Sequence, residues 1–217
     1  MESIKSHVMF DVDGTLIESY QHYEVCFLAA VKEVTGIDLH NNWNTYPFVT
    51  DKGILLTFIE RQAPQFTLQQ LEQQVKPIFI NNLKRCISQY PVKEVAGAKA
   101  FLKNLLHSGE FQISFATDCW EEATLLSLQS AGFNVDNFTM TSSDDHYART
   151  EIMRIAKERA GDVDDFQLTY FGDSESDMRA SDALKMNLVI VGNKIHHYQS
   201  INDFQDIPHV LEFVLEH

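Results

Sequence analysis

The amino-acid sequence predicts an α/β fold in which a parallel five-stranded sheet is covered by helices on both faces. Two observations support this prediction. Short apolar runs typical of buried strands recur along the chain, and each run after the first follows a segment with helical spacing of apolar residues. The chain has 217 residues and is 44% hydrophobic, with 15 Phe, 7 Tyr and 2 Trp, which suffices for a large core and excludes intrinsic disorder.

The predicted strands are apolar runs of four to six residues. They are His7–Phe10, Phe111–Ala116, Phe138–Thr141, Leu168–Phe171 and Leu188–Val191. The predicted helices between the later strands are Ala98–His107, Trp120–Ala131, Thr150–Ala160 and Ser174–Leu184. The first three helices are followed within two residues by Gly109, Gly132 and Gly161, and glycine is the residue that most often ends a helix.

A stretch without a strand pattern interrupts this alternation between Leu16 and Tyr90. Its helical patterns are Tyr23–Val34, Gly53–Arg61, Leu68–Val75 and Pro77–Ile87. The stretch has the length of a small domain. We therefore predict two units, a sheet-containing core of residues 1–16 and 91–217 and an all-helical inserted domain of residues 17–90.

The charge and the cysteines of the chain limit its partners and its compartment. Seventeen basic and 31 acidic residues give a net charge of −14 with histidine neutral, which opposes binding to nucleic acid and to anionic membranes. An anionic substrate would then need a local positive site such as a metal ion. The three dispersed cysteines, and the lack of a signal-peptide or membrane-spanning pattern, predict a cytoplasmic protein with reduced thiols, which we expect to be a monomer or a small homo-oligomer.

Candidate functional residues directly follow the first predicted strand, where ligands bind in open parallel sheets. Asp11 and Asp13 place two carboxylates at the point where the chain leaves the strand. Gly14 permits a tight turn, and with Thr15 it offers backbone N–H groups that can hold an anion. A turn followed by a helix cap would also use these residue types, but the D-V-D-G-T sequence after an apolar run favours a functional site.

A second acidic segment follows the fourth predicted strand. Asp173 and Asp177 are four residues apart across a helix start, so they can face one site. Their hard oxygen atoms suit Mg²⁺, although acidic residues at a helix start also complement the helix dipole. Counted with Asp11 and Asp13, they predict a magnesium site.

Two weaker candidates follow the second and third predicted strands. Thr117 offers a hydroxyl that can donate to a phosphate oxygen, and Arg149 offers a guanidinium that can neutralise phosphate charge. Taken alone, Thr117 is better explained as a helix cap, and Arg149 is better explained as an ordinary surface arginine. Their order along the chain and their positions after strands give them weight.

In this order, the four segments resemble the motifs of the haloacid dehalogenase-like hydrolase superfamily over nearly the whole chain. The family's nucleophile loop, hydroxyl position, basic position and acidic metal loop correspond to Asp11–Thr15, Thr117, Arg149 and Gly172-Asp173 with Asp177. The resemblance implies a Rossmann-like core with the first strand in the middle of the sheet. The inserted domain looks like the small helical cap of the phosphatase branch that includes phosphoglycolate phosphatases.

The resemblance implies Mg²⁺-dependent hydrolysis of a small phosphorylated metabolite through an aspartyl-phosphate. Asp11 would be the nucleophile, and Asp13 would protonate the leaving oxygen and then activate water. Mg²⁺ would be held by the Asp11 side chain, the Asp13 carbonyl oxygen, Asp173 and, directly or through water, Asp177.

The resemblance also implies the groups that bind the phosphate. Thr117 and Arg149 would hold the transferring phosphoryl group, next to the turn of Gly14 and Thr15. Arg149 stands where the family usually has lysine, and arginine reaches differently and can grip phosphate with two bonds. Lys52 in the inserted domain is a further candidate, as a contact to a carboxylate or second phosphate of the substrate.

Other activities of related proteins stay open at this point. A dehalogenase lacks an acid at the second aspartate position, so Asp13 argues against it. A phosphonoacetaldehyde hydrolase would use a cap lysine such as Lys52 and often carries arginine at the position of Arg149, but it usually lacks the second aspartate. A sugar phosphomutase retains Asp13. A catalytically silent phosphate-binding module would bind Mg²⁺ and phosphate without turnover.

Overall fold

The computed structural model of the protein describes residues 6–136, 139–161 and 167–215. The strands are β1 (Ser6–Phe10), β2 (Ile17–Glu18), β3 (Lys93–Glu94), β4 (Phe111–Ala116), β5 (Thr139–Thr141), β6 (Gln167–Gly172), β7 (Asn187–Val191) and β8 (Ser200–Ile201). The helices are α1 (Tyr20–Thr35), α2 (Asp51–Gln62), α3 (Leu68–Gln89), α4 (Ala98–Ser108), α5 (Glu121–Ser130), α6 (Arg149–Arg159), α7 (Glu175–Leu184) and α8 (Ile207–Leu215), with a short 3₁₀ helix at Trp43–Thr45. None of these helices is both long and apolar enough to cross a membrane.

The main sheet has six parallel strands in the order β5-β4-β1-β6-β7-β8. The predicted α/β class is confirmed, and β1 lies between β4 and β6, with Phe10 in register with Phe115 and Phe171. The count of five strands needs a correction. The sixth strand, β8, has two residues, which is too short to give a hydrophobic pattern. Phe138, at the start of the predicted third strand, lies outside the described residues.

Alternate residues of β1 pack on opposite faces of the sheet, as the two-residue period of a strand requires. Val8 and Phe10 belong to an apolar cluster that includes Phe101 of α4. Met9 belongs to a second cluster that includes Met153 of α6. All of these side chains are fully buried, and burial of each contributes about 1.5–3 kcal/mol. The helices on both faces therefore fix β1 at the centre of the molecule.

A two-stranded antiparallel ribbon corrects the expectation that no strand lies between Leu16 and Tyr90. In this ribbon Ile17 pairs with Glu94 and Glu18 pairs with Lys93. The chain leaves the main sheet through β2 and returns through β3, and α1, α2 and α3 lie between them. Strands of two residues again carry too little pattern for detection from sequence.

The third helix corrects a second expectation, because α3 is one helix of 22 residues that continues through Pro77. The sequence predicted two helices divided near this proline. A proline inside a helix removes a hydrogen bond and crowds the preceding turn. Packing of the buried side chains of α3 against α1 and α2 outweighs that cost, and the side chains concerned are Leu71, Val75, Phe79, Ile80 and Leu83.

The apolar cluster of α1, α2 and α3 is continued by a residue from the sheet-containing part. Trp120, at the start of α5, is fully buried in this cluster. Its ring lies 5.7 Å from that of Phe27 and 5.6 Å from that of Phe79, within the usual distance of aromatic pairs. This contact holds the three helices over the loop that follows β4.

Candidate active site

The carboxyl ends of three neighbouring strands bring predicted site residues to one rim of the sheet. Thr117, Asp11 and Asp173 directly follow β4, β1 and β6. All three side chains are buried and line one cavity of about 460 Å³, a volume typical of small-molecule sites. The cavity lies between this rim and the helices α1 and α2.

The turn after β1 fits only glycine at position 14. Gly14 has φ +90°, and a Cβ atom on it would lie 2.0 Å from Oδ2 of Asp173. The absence of a side chain therefore lets the loops after β1 and β6 approach each other. The Gly14 N–H donates to the carbonyl oxygen of Ile17 at 2.7 Å, and the Thr15 hydroxyl donates to Oδ2 of Asp11 at 2.9 Å. Both predicted anion-binding residues thus support the loop rather than the cavity wall.

A buried cluster of carboxylates lies beside this turn. Asp11, Asp173 and Asp177 each offer an oxygen atom, and these atoms lie within 4.8 Å of one another. Among the described residues, this is the set of carboxylates close enough to share one metal ion, and the Asp13 side chain lies outside it. Three of the four predicted metal-binding residues are therefore brought together by their side chains.

The environment of this cluster opposes negative charge. Burial raises the pKa of Asp11 well above its usual value, and nearby Asp177 and Asp173 raise it further, although Arg149 opposes the shift. Burial also raises the pKa of Asp173 to about 6, with Asp177 adding to the shift and Lys194 opposing it. A cation between the carboxylates would relieve this repulsion, so the donor set fits a hard divalent ion.

Arg149 is the first residue of α6, and its buried side chain contacts the carboxylates without lining the cavity. Its Nη2 atom donates to Oδ1 of Asp11 at 2.8 Å and to Oδ1 of Asp177 at 2.7 Å. Its Nη1 atom donates to Oδ1 of Asp118 at 3.2 Å, and the guanidinium also contacts the Tyr170 hydroxyl. The predicted basic residue is thus placed beside the predicted nucleophile.

The same arginine lowers the pKa of Asp177 as it does that of Asp11, but at Asp177 the net shift is downward. Burial opposes ionisation of this carboxyl, but Arg149, Tyr170 and Ser174 outweigh it, so the pKa of Asp177 is lowered. Asp177 also accepts backbone N–H bonds from Asp173 and Ser174 at 3.1 Å each. It is therefore an ionised carboxylate held in a fixed position.

Asp13 lines the cavity separately from the carboxylate cluster. Its Oδ1 atom accepts the backbone N–H of Ser19 at 3.0 Å. Desolvation by the surrounding protein raises its pKa, against the opposing effects of Ser19 and Lys194. A carboxyl group in this position can hold a proton and release it to a bound molecule.

Lys52 does not line this cavity, so the prediction that it contacts substrate gains no support from its position. Its Nζ atom donates to the Asp144 carbonyl oxygen at 2.7 Å, and its backbone N–H donates to Ser143 Oγ at 3.0 Å. It lines a separate groove together with residues of α3. The neighbouring Asp51 faces the cavity instead, because adjacent residues of a helix point about 100° apart.

Asp51 is a site residue that sequence reasoning missed. Its Oδ2 atom accepts the Trp120 backbone N–H at 2.7 Å and the Tyr23 hydroxyl. Burial raises the pKa of Asp51 to about 8, with Asp118 adding to the shift and both hydrogen bonds opposing it. The sequence signal was an aspartate directly after the cap residue Thr50, which is typical of an ordinary helix start.

Lys194 is a second residue that was missed. It lines the cavity after β7, and its ammonium group contacts Oδ2 of Asp173. Burial lowers its pKa, but Asp173, Asp13 and Asp11 outweigh that effect and raise it overall. The rule that ligands gather after the strands of a parallel sheet, applied to the last predicted strand, would have found it.

Comparisons with known proteins show the family and the fold of the chain. The family model described as haloacid dehalogenase-like hydrolase matches residues 8–191. No curated protein matches the chain significantly.

Solved structures show a similar fold. CbbY from Rhodobacter sphaeroides in complex with phosphate has a TM-score of 0.73 at 14% identity, covering 94% of this chain and 96% of that one. β-Phosphoglucomutase from Clostridium difficile has a TM-score of 0.74 at 14% identity, covering 96% of each chain. A putative phosphoglycolate phosphatase from Lactobacillus plantarum has a TM-score of 0.66 at 17% identity, covering 98% of this chain and 100% of that one. At these identities the likeness concerns the fold.

Proposed function

The chain belongs to the haloacid dehalogenase-like hydrolase family, and from this premise we propose that it is a Mg²⁺-dependent phosphatase that acts on small phosphate monoesters through a phosphorylated Asp11. The observation that carries the proposal is the position of the Asp11 carboxylate. It is buried on the cavity wall, it is bound by Arg149 at 2.8 Å, and it lies within reach of Asp173 and Asp177.

The carboxylates of Asp11, Asp173 and Asp177 would hold Mg²⁺ together with the carbonyl oxygen of Asp13. When bound, the ion reduces the repulsion between a carboxylate nucleophile and a phosphate dianion. Carboxylate oxygens are the ligands that Mg²⁺ prefers. The raised pKa values of Asp11 and Asp173 support this assignment, because burial first and neighbouring carboxylates second disfavour their charged forms, and a bound cation would favour them.

Asp11 is held in position to act as the nucleophile. Its backbone N–H donates to the Phe171 carbonyl oxygen at 2.8 Å and its Oδ2 accepts the Thr15 hydroxyl. A carboxylate oxygen of Asp11 attacks the phosphorus atom, and the bond to the leaving alcohol breaks. Fixing the nucleophile in advance lowers the entropic part of the barrier.

Asp13 supplies and removes the proton in the two halves of the reaction. Its raised pKa lets it hold a proton that passes to the leaving oxygen when Asp11 is phosphorylated. The resulting Asp13 carboxylate then takes a proton from a water molecule. That water attacks the phosphorus atom, which releases inorganic phosphate and restores Asp11.

Arg149 and Thr117 would hold the transferring phosphoryl group. The Arg149 guanidinium already contacts Asp11, so it lies next to the oxygen that attacks phosphorus. Thr117 lines the cavity, and its backbone N–H bond to the Thr141 carbonyl, at 3.0 Å, fixes the start of this loop. Groups placed in advance around the developing charge stabilise the transition state.

Residues 17–90 would act as a cap that closes the cavity over the substrate. Hydrogen bonds already join the start of α2 to the core: the Asp51 N–H donates to the Asp118 carbonyl at 3.0 Å, and the Thr50 hydroxyl donates to the Tyr147 carbonyl at 2.7 Å. Exclusion of water strengthens the electrostatic contacts inside and keeps the proton on Asp13 until transfer. In this proposal the boundaries between cap and core lie between residues 16 and 17 and between residues 90 and 91.

We further expect a cytoplasmic enzyme whose partner is a small phosphorylated metabolite. The thiols of Cys26, Cys86 and Cys119 are all free, which supports a reducing compartment. The net charge of −14 opposes complexes with nucleic acid or anionic membranes.

The test is Mg²⁺-dependent phosphate release from p-nitrophenyl phosphate by the wild type and by Asp11→Asn. We expect release by the wild type, its loss on chelation, and no release by the variant, whose circular dichroism should match that of the wild type. Turnover by Asp11→Asn at the wild-type rate would overturn the covalent scheme.

Product analysis separates the alternative activities. A sugar phosphomutase would also need Asp11 and Asp13, but it would isomerise its substrate with little net phosphate release. A silent phosphate-binding module would bind Mg²⁺ without turnover. A phosphonoacetaldehyde hydrolase receives no support from Lys52, which lies outside the cavity.

A further inference from the structure

The cavity wall opposite the catalytic carboxylates is aromatic. It is formed by the segment 20–54 and presents Tyr20, Tyr23, Phe27, Trp43 and Tyr46. Val49 and Ile54 add aliphatic surface. In the described part of the chain, no lysine, arginine or histidine of this segment lines the cavity. We refer to this surface as the aromatic wall.

The acidic groups of the aromatic wall are hydrogen-bond acceptors. Oε1 of Glu24 accepts the Trp43 indole N–H at 3.1 Å and the Asn41 side-chain amide at 3.3 Å. Asp51 accepts the Tyr23 hydroxyl and the Trp120 N–H. This half of the cavity therefore offers no positive group to a second anion on the substrate.

Two basic residues line the cavity in the part of the chain that the structure describes; both come from outside the segment 20–54 and are already paired. Arg179 of α7 lies 3.3 Å from Glu175, and Lys194 contacts Asp173. Arg149 does not line the cavity; it is buried and forms ion pairs with Asp11, Asp118 and Asp177. The positive groups of the cavity are thus already compensated by carboxylates, and the aromatic wall itself contributes none.

We propose that the natural leaving group is an uncharged alcohol that carries an aromatic ring, as in a nucleoside monophosphate, and that it bears no carboxylate and no second phosphate. This inference rests on the proposed phosphatase function. An anion placed against the aromatic wall would lose its hydration without gaining a counter-charge. An aromatic ring would gain stacking on Trp43 or Tyr46, whose rings are 5.6 Å apart. The cavity volume of about 460 Å³ suits a molecule of this size.

A protein with this preference differs from enzymes that act on sugar bisphosphates or phosphoglycolate. Such substrates carry a second anion that needs a positive group on the cap side of the site. Lys52, the cap lysine closest in sequence to the cavity, instead donates to the Asp144 carbonyl oxygen outside it.

The experiment compares three monoesters of primary alcohols, so that the leaving groups have similar chemistry. We measure kcat/KM of the Mg²⁺-loaded protein for benzyl phosphate, ethyl phosphate and 2-phosphoglycolate, followed by a panel of nucleoside monophosphates and fructose 1,6-bisphosphate. We expect benzyl phosphate to exceed ethyl phosphate by about tenfold or more, and phosphoglycolate to fall about tenfold below ethyl phosphate.

The possible outcomes separate the inference from the proposed function. If phosphoglycolate or the bisphosphate equals or exceeds benzyl phosphate while Asp11→Asn is inactive, the phosphatase function stands and the inference is overturned. If no ester releases phosphate in the presence of Mg²⁺, both are overturned.

A pair of charge variants tests the wall itself. Asn44 is exposed and lines the cavity, whereas Gln62 is exposed at the end of α2 and does not line it. Asn44→Lys should raise kcat/KM for phosphoglycolate relative to ethyl phosphate by about tenfold, and Gln62→Lys should leave this ratio unchanged. An equal ratio in both variants would contradict the inference.

Truncation of one aromatic side chain gives an independent measurement. Trp43→Ala should raise KM for benzyl phosphate by about tenfold and change KM for ethyl phosphate little, since only the ring can stack. A similar increase in KM for both esters would indicate a merely structural role and would contradict the inference.

Discussion

The two walls of the cavity differ in their chemistry, since one is charged and the other is largely apolar. The rim formed by the ends of β4, β1 and β6 is dense with charge, and Arg149 alone contacts three carboxylates there. The aromatic wall is dominated by rings and aliphatic side chains. Charge near the sheet can stabilise a reacting phosphate, whereas an apolar wall can select a leaving group. Under the proposed function, the comparison teaches that the chemistry and the choice of substrate would be assigned to different parts of this chain.

Removal of the positive charge of Arg149 should have the largest effect on stability. Arg149→Met leaves Asp11 and Asp177 buried without their positive partner, which we expect to cost about 3–5 kcal/mol of unfolding free energy. Arg154→Met, on the exposed face of the same helix, should cost at most about 1 kcal/mol. Urea denaturation measures both variants. Equal losses would show that the rim is not a tightly coupled charge network.

Loss of one carboxylate of the rim should weaken metal binding. Asp173→Asn removes a proposed Mg²⁺ ligand, and we expect the Mg²⁺ concentration for half-maximal activity to rise about 10- to 100-fold. Asp38→Asn is the control, because Asp38 is exposed and paired only with Lys32 in the described structure. Magnesium titration of phosphate release measures the difference. An unchanged midpoint in Asp173→Asn would remove Asp173 from the metal site.

Replacement of Asp51, an acidic residue of the aromatic wall, should have a smaller and pH-dependent effect on the unfolding free energy. The pKa of Asp51 is about 8 in the folded protein and about 3.9 in an unfolded chain. Its contribution to stability is therefore fully present below about pH 4 and is lost as the pH rises towards 8. Asp51→Asn cannot ionise, so its stability relative to the wild type should improve by about 1 kcal/mol or more between pH 5 and 8. Parallel pH profiles of the unfolding free energy would contradict this.

The rim could be predicted from sequence because its residues directly follow strands. Asp11, Thr117 and Asp173 needed only the positions of β1, β4 and β6 and the rule that parallel strands end at one edge. Arg149 needed the family resemblance to be distinguished from a surface arginine. Lys194 obeys the same rule, because it follows β7 and lines the cavity.

The aromatic wall could not be predicted in the same way. Tyr23 and Asp51 reach the cavity because α1 and α2 fold over the rim, and helical periodicity does not say which neighbouring element each face meets. Asp51 and Lys52 illustrate this, since they are adjacent in α2 and only Asp51 lines the cavity. Packing also explains the position of Pro77. The sequence predicted a helix boundary at this proline, but Pro77 lies inside α3.

The most direct test of the account is to trap the phosphorylated enzyme. The protein is mixed with Mg²⁺ and an excess of benzyl phosphate, quenched in acid within the first turnovers, digested and analysed by mass spectrometry. The account predicts one phosphoryl group on the peptide that contains Asp11, and none on that peptide in Asp11→Asn. Steady phosphate release together with a phosphoryl group on another residue would contradict the central claim that Asp11 is the nucleophile.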